Sequence, residues 1–173
     1  GIIKQITKNN ADDDTPQIIG DHVVWESNLD GDWDIYLYQI STGTTVQVSD
    51  NTAQDHAAEV NGDYVVWFGQ GDGDLEIYLY QISTGATTQV SHNTAGDYYP
   101  QVDGDFVSWY GRNDGDHEIY LYQISTGITR KITNNTRADD VQPKINGDYI
   151  VWFVGTDADA EIYMYQISTR TTR

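Results

Sequence analysis

No cysteine occurs in this sequence, so no disulfide staples the fold and no thiol chemistry is open to it. Proline and methionine are scarce too, with three and one in 173 residues. No apolar run approaches the roughly 20 residues that a membrane-crossing helix needs. The N-terminus, GIIKQITKNN, lacks the layout of a secretory leader and starts with Gly, and the expectation is a mature or excerpted product. Basic residues are the most telling shortage, nine against 27 acidic ones, for a formal net charge of −18. Between Lys8 and Arg112 there is neither Lys nor Arg, while 18 of the acids lie there. The other nine acids balance the nine bases, so one stretch carries the whole net charge. Such a field repels nucleic acid and anionic lipid and favours cations or a basic surface.

Against these absences stand 13 Tyr, five Trp and many Ile and Val, enough to bury a core and to argue against disorder. One pattern returns at a nearly constant step. Trp25, Trp67, Trp109 and Trp152 recur, as do Ile35, Ile77, Ile119 and Ile162 in WDIYLYQIS, LEIYLYQIS, HEIYLYQIS and AEIYMYQIS, and the Gly-Asp pairs at Gly20, Gly62, Gly104 and Gly147. No segment has a helical period with caps. Alternating β-branched and aromatic residues between turn residues predict four strands per repeat, over 58–60, 64–68, 76–82 and 87–90 in the second. Gly62-Asp63 and Thr84-Gly85 supply the tight turns. Four strands in about 42 residues is the size of a propeller blade. The expectation is an all-β propeller of four blades in a single domain, residues 1–173, with repeats at 16–50, 58–92, 100–134 and 143–173 plus residues 1–8. Ile77 and Leu79 then face one neighbouring blade, and Tyr78 and Tyr80 the other.

The motif GDYVVW, an acidic turn, EIYLYQISTG and then QVS or KIT, four times in register over the whole chain, resembles the TolB-like propeller repeat, especially the version of secreted and cell-surface proteins. The resemblance implies a propeller and an extracellular or cell-surface setting. The stretches QIIGD, QVDGD and KINGD depart from it, standing where TolB repeats usually carry Trp-Ser-Pro-Asp-Gly.

Between the second and third strands each blade carries carboxylates at alternate positions: Asp30, Asp32 and Asp34; Asp72, Asp74 and Glu76; Asp114, Asp116 and Glu118; Asp157, Asp159 and Glu161. Like charges this close repel unless a cation sits among them, and clustered oxygens suit a hard ion such as Ca²⁺ in a structural role. An Asp-Gly hairpin turn explains three of the four. In the fourth, Ala158 replaces the Gly and both Asp residues remain, which points to calcium. Asp13, Asp55, Asp97 and Asp140 either form a second ring facing a central channel or, as the favoured reading, bond within their own loops.

Catalysis finds little support. His22, His56, His92 and His117 fall at non-equivalent positions, and Ser41, Ser83, Ser125 and Ser168 have no base beside them in sequence. The leading expectation is a non-enzymatic extracellular module that assembles with itself or with other surface proteins, its acidic stretch meeting Lys4, Lys8, Arg130, Lys131, Arg170 and Arg173. Binding of nucleic acid and insertion into membranes are not expected. A carbohydrate-binding propeller is the alternative, with Trp33, Tyr98, Tyr99 and Tyr110 outside the repeated core positions. A polysaccharide-active enzyme fragment comes after it. Residues 2–7 align with the fourth strands GTTVQVS, GATTQVS and GITRKIT. That segment is expected to complete the last blade in cis, or to dock on a neighbouring chain in an eight-bladed ring or a filament.

Overall fold

The structure, a computed structural model, describes residues 1–71, 73–113, 115–136, 138–155 and 159–172, with Asn113 described through its backbone alone. Each repeat folds into one antiparallel sheet whose strands pair in chain order. The first blade is β1 (Asp13–Ile19), β2 (His22–Ser27), β3 (Asp34–Gln39) and β4 (Thr44–Gln47). The second is β5 (Asp55–Asn61), β6 (Tyr64–Gln70), β7 (Leu75–Gln81) and β8 (Ala86–Gln89). The third is β9 (Asp97–Asp103), β10 (Phe106–Asn113), β11 (Asp116–Gln123) and β12 (Ile128–Lys131). The fourth is β13 (Asp140–Asn146), β14 (Tyr149–Val154), β15 (Glu161–Gln166) and β16 (Thr171–Thr172). The fold is a four-bladed, all-β propeller, as the repeat predicts.

The turns explain why the strands pair in register. Gly20, Gly62, Gly104 and Gly147 take φ between 54° and 58°, the left-handed conformation that a two-residue hairpin needs. The Asp that follows each of them locks the next hairpin. Asp63 accepts the Ser83 N–H at 2.8 Å, the Ser83 hydroxyl at 2.5 Å and the Gln81 amide at 2.9 Å. Asp105 with Ser125 and Gln123, and Asp148 with Ser168 and Gln166, repeat the arrangement, and Asp21 holds Ser41 in the same way. These bonds, the Ser hydroxyl foremost, hold the four carboxyls below the ordinary Asp range.

Alternation then fixes what each blade buries. Val24, Ile35 and Leu37 of the first blade pack on Val65, Trp67, Tyr78 and Tyr80 of the second. Val66, Ile77 and Leu79 pack on Val107, Trp109, Tyr120 and Tyr122 of the third. Ile119 and Leu121 pack on Ile150, Trp152 and Tyr165 of the fourth. A wholly buried Ile such as Ile77 contributes roughly 1.5–3 kcal/mol. Each of the four repeated Trp also stacks on the Tyr across the strand pair, Trp67 on Tyr78 and Trp109 on Tyr120 with centroids 5.6 Å apart.

Among the described residues no hydrophobic cluster joins the fourth blade back to the first. Strand β1 is exposed along its whole length, and on the outer face of the fourth blade Ile162 is 72% exposed. The single chain is thus an open arc of blades, and residues 2–7 do not complete the last one in cis. They form no strand, Ile2 and Ile3 are 99% exposed, and β15 pairs with β16 instead. The segment lies beside the first blade, where the Lys4 ammonium sits 5.1 Å from the Tyr38 ring centre and donates to its hydroxyl. The segment thus lies against the sheet that follows it in the chain.

Candidate functional site

The acidic turns end where the third strands begin, and this splits their carboxylates into two kinds. Asp30, Asp32 and Asp34 bring oxygens within 4.8 Å of one another. Asp34 opens β3 and is buried, accepting the Ser49 hydroxyl at 3.1 Å and the Gln47 amide at 3.0 Å. Burial, with the charges of Asp30 and Asp32, raises its carboxyl to about 7. Glu76 and Glu118 are buried at the matching place and take the hydroxyls of Ser91 and Thr133 from the ends of their fourth strands. Lys131 adds an ammonium 3.3 Å from Glu118. The third carboxylate therefore ties β3, β7 and β11 to the segment after the outer strand, a role the turn spacing alone does not reveal. The middle carboxylates, Asp32, Asp74 and Asp116, each hold one enclosed oxygen with no hydrogen-bond partner among the described residues. Asp159 and Glu161 of the last blade are exposed, while Asp72, Asp114 and Asp157 lie outside the described residues.

Asp55, Asp97 and Asp140 do not face a shared channel. Each is buried in its own blade and accepts a side-chain amide, from Asn51, Asn93 and Asn135 respectively. Asp97 and Asp140 also take the indole N–H of Trp109 and Trp152, at 3.0 and 2.7 Å. Asp13 of the first blade accepts from Trp25 at 3.2 Å. Burial raises Asp55 and Asp140 above the ordinary Asp range and brings Asp97 to about 6. The local reading of these carboxylates holds, with side-chain donors in place of backbone ones.

Near the axis each inner strand carries a β-bulge, and one non-glycine residue in each takes positive φ: Thr15 at 47°, Ala57 at 54°, Tyr99 at 48° and Gln142 at 53°. These residues line a cavity of about 320 Å³ with Gln17, Glu59, Gln101 and Lys144, which occupy one equivalent position in the four blades. The Gln101 amide donates to Glu59 at 2.9 Å, and Lys144 donates to the Gln101 oxygen at 2.9 Å and lies 3.9 Å from Glu59.

The bulge also gathers aromatic rings. Consecutive residues of a regular strand point to opposite faces, yet Tyr98 and Tyr99 both stack on Tyr110, with centroids 5.6 and 5.9 Å away. Phe68 meets both tyrosines, and His117 meets Tyr98 and Tyr110. Burial, then the neighbouring Tyr99 and Tyr98, raises the Tyr110 phenol to about 12. Trp33 reaches the group through His56, which stands between it and Phe68. Three of the four aromatic residues outside the repeated core, Tyr98, Tyr99 and Tyr110, are thus in direct contact.

The histidines are paired separately. His56 is 2.7 Å from buried Glu26, which also accepts the Ala57 N–H and the Thr15 hydroxyl. His117 is 3.0 Å from Asp139.

Compared with protein-family models and with curated proteins, the chain shows no match. Solved structures share its fold. A TolB from Agrobacterium tumefaciens matches at 20% identity and a TM-score of 0.68, over 89% of this chain and 60% of that one. TolB from Acinetobacter baumannii matches at 17% identity and 0.70, over 97% and 44%. The computationally designed Ika4 protein matches at 16% identity and 0.64, over 93% and 98%. The fold is that of a TolB-like propeller, and the chain spans about half the length of the two TolB structures.

Proposed function

We propose that this TolB-like propeller is a non-enzymatic interaction module of the cell exterior or cell surface that assembles with copies of itself or with other surface proteins. The observation that carries the reading is an interface built three times within the chain, one half of which stands open on the fourth blade. Val151, Ile162 and Met164 of the fourth blade occupy the places that Val66, Ile77 and Leu79 hold in the second, but Val151 and Ile162 are 37% and 72% exposed. On the first blade, Trp25, Tyr36 and Tyr38 are the opposite half of that interface; they are buried within this chain, with Lys4 of the N-terminal segment on Tyr38, so docking a neighbour requires that segment to move aside. A contact between these unlike faces is heterologous and extends head to tail, closing a ring or continuing as a filament. Residues 4–7 would add as an outer strand beside the Glu161–Met164 part of β15 of the neighbour, next to the two residues that β16 pairs. Lys131, Lys144 and Arg170, in the basic part of the chain, favour approach of the acidic first half of another copy.

Calcium fits the same picture as a structural ion. Asp30, Asp32 and Asp34 offer only hard oxygen donors, close together, and the enclosed oxygen of Asp32 gains a partner when a cation binds. The serines support a non-catalytic role, since Ser41, Ser83, Ser125 and Ser168 all serve as locks on the Gly-Asp turns. No helix among the described residues is long and apolar enough to cross a membrane.

Deleting residues 1–8 tests the assembly. The shortened chain is expected to sediment as a smaller species than the full chain at equal concentration, with its sheets intact by circular dichroism. Identical masses for the two would remove the proposed role of the segment.

A further inference from the structure

We infer that the axial cavity binds a neutral sugar, with one pyranose ring seated against Tyr99. This goes beyond the assembly reading and does not depend on it. A volume of about 320 Å³ is at the lower end of ligand pockets, which run from roughly 300 to 1,000 Å³, and suits a ligand of one ring. Tyr99 is half exposed, and its ring is backed by Tyr110, nearly parallel at 12°, and by Phe68 at 5.5 Å. A ring held from behind and open in front offers a flat apolar surface at little cost in side-chain entropy. Sugars present such a surface through their C–H bonds and surround it with hydroxyls that donate and accept.

The cavity meets the second demand as well. Glu59, Gln101 and Lys144 form a fixed run of acceptor, amide and ammonium, and Gln17, Gln142 and Thr15 add further groups able to donate and accept. Charge selects the ligand class: a cation would meet Lys144 and an anion Glu59, while a neutral polyhydroxylated ring uses both. Symmetry supports a particular site. All four blades carry the positive-φ bulge, so the bulge is architecture, but its residue is Thr15, Ala57 or Gln142 in three of them. The third blade alone places a large ring there, although bulky side chains are disfavoured at such φ.

The test is saturation-transfer NMR and calorimetry on the 173-residue chain, with the methyl glycosides of glucose, galactose, mannose and N-acetylglucosamine and with choline as a cationic probe. At least one glycoside is expected to bind. Tyr99→Ala should weaken it about tenfold or more, and Tyr99→Phe should keep it within about threefold. Alanine already occupies the equivalent bulge position at Ala57 with φ 54°, so Tyr99→Ala is compatible with the backbone. Lys144→Ala, at a side chain 66% exposed, provides a second variant that should lose affinity without lowering the melting temperature. Absence of transfer to every glycoside, affinity unchanged in both Tyr99→Ala and Lys144→Ala, or Tyr99-dependent binding of choline alone would each overturn the inference.

Discussion

Acidification from pH 7.5 to 5 should stabilise this protein, and Asp97 allows the effect to be sized. Its carboxyl is buried against Trp109 and Asn93 and titrates at about 6, against 3.8 for the unfolded chain. A carboxyl raised on folding makes the native state hold the proton more tightly. The stability it lends is therefore complete below the unfolded value and is lost as pH rises through the folded one. Between pH 7.5 and 5 the linkage relation returns about 1.4 kcal/mol from this group, close to one pKa unit of differential protonation. For a chain of this size that is a melting temperature higher by roughly 3–6 °C. Asp55 and Asp140 are raised for the same reason and act in the same direction. Asp21, Asp63, Asp105 and Asp148 are lowered, so their contribution is lost only as pH falls below the ordinary Asp range, outside this window. The assay is differential scanning calorimetry in EDTA at constant ionic strength, on the native chain and on Asp97→Asn, which removes the proton site. The native chain should gain stability toward pH 5, and the variant should gain less by about 1.4 kcal/mol. A flat or falling profile for the native chain, or equal slopes for the two, would refute the reasoning.

Ile77→Ala, at a side chain wholly buried between the second and third blades, should cost about 2–5 kcal/mol in urea unfolding. Asp63→Ala removes three accepted hydrogen bonds from an exposed turn, and about 1–2 kcal/mol should be lost at pH 7, the difference shrinking only as the pH falls below the ordinary Asp range. Millimolar calcium should raise the melting temperature above its value in EDTA, and Asp30→Asn with Asp32→Asn should remove part of that gain; equal curves in calcium and EDTA would count against a structural ion. Assembly between an acidic and a basic surface should weaken as ionic strength rises and the Debye length falls below about 8 Å, a trend that sedimentation in a salt series reads directly.

The strands were legible because period and punctuation agree: alternating large residues between Gly-Asp and Thr-Gly turns leave each blade little freedom of register. The polar locks were only half legible. The Trp follows the Asp that opens the inner strand by 12 residues in every blade, and Ser49, Ser91 and Thr133 follow Asp34, Glu76 and Glu118 by 15, so constant spacing held the signal. What hid it was the run of carboxylates at alternate positions, which reads as one cluster until the start of β3 separates Asp34 from Asp30 and Asp32. The grouping of Tyr98, Tyr99 and Tyr110 was beyond alternation, since it depends on a bulge that turns Tyr99 out of the strand pattern. Aligning residues 2–7 with an outer strand identifies the kind of strand and not the sheet that receives it, so the alignment alone does not separate closure in cis from docking in trans.

The most direct check is the mass in solution of the native chain beside Ile162→Asp, measured by sedimentation at micromolar concentration and low salt in the presence of calcium. The native chain should be heavier than its 19.5 kDa monomer, and the charge placed on the open face of the fourth blade should return it to that mass without unfolding the arc. A native chain that sediments as a 19.5 kDa monomer, or an assembly untouched by Ile162→Asp, would contradict association through the blade faces.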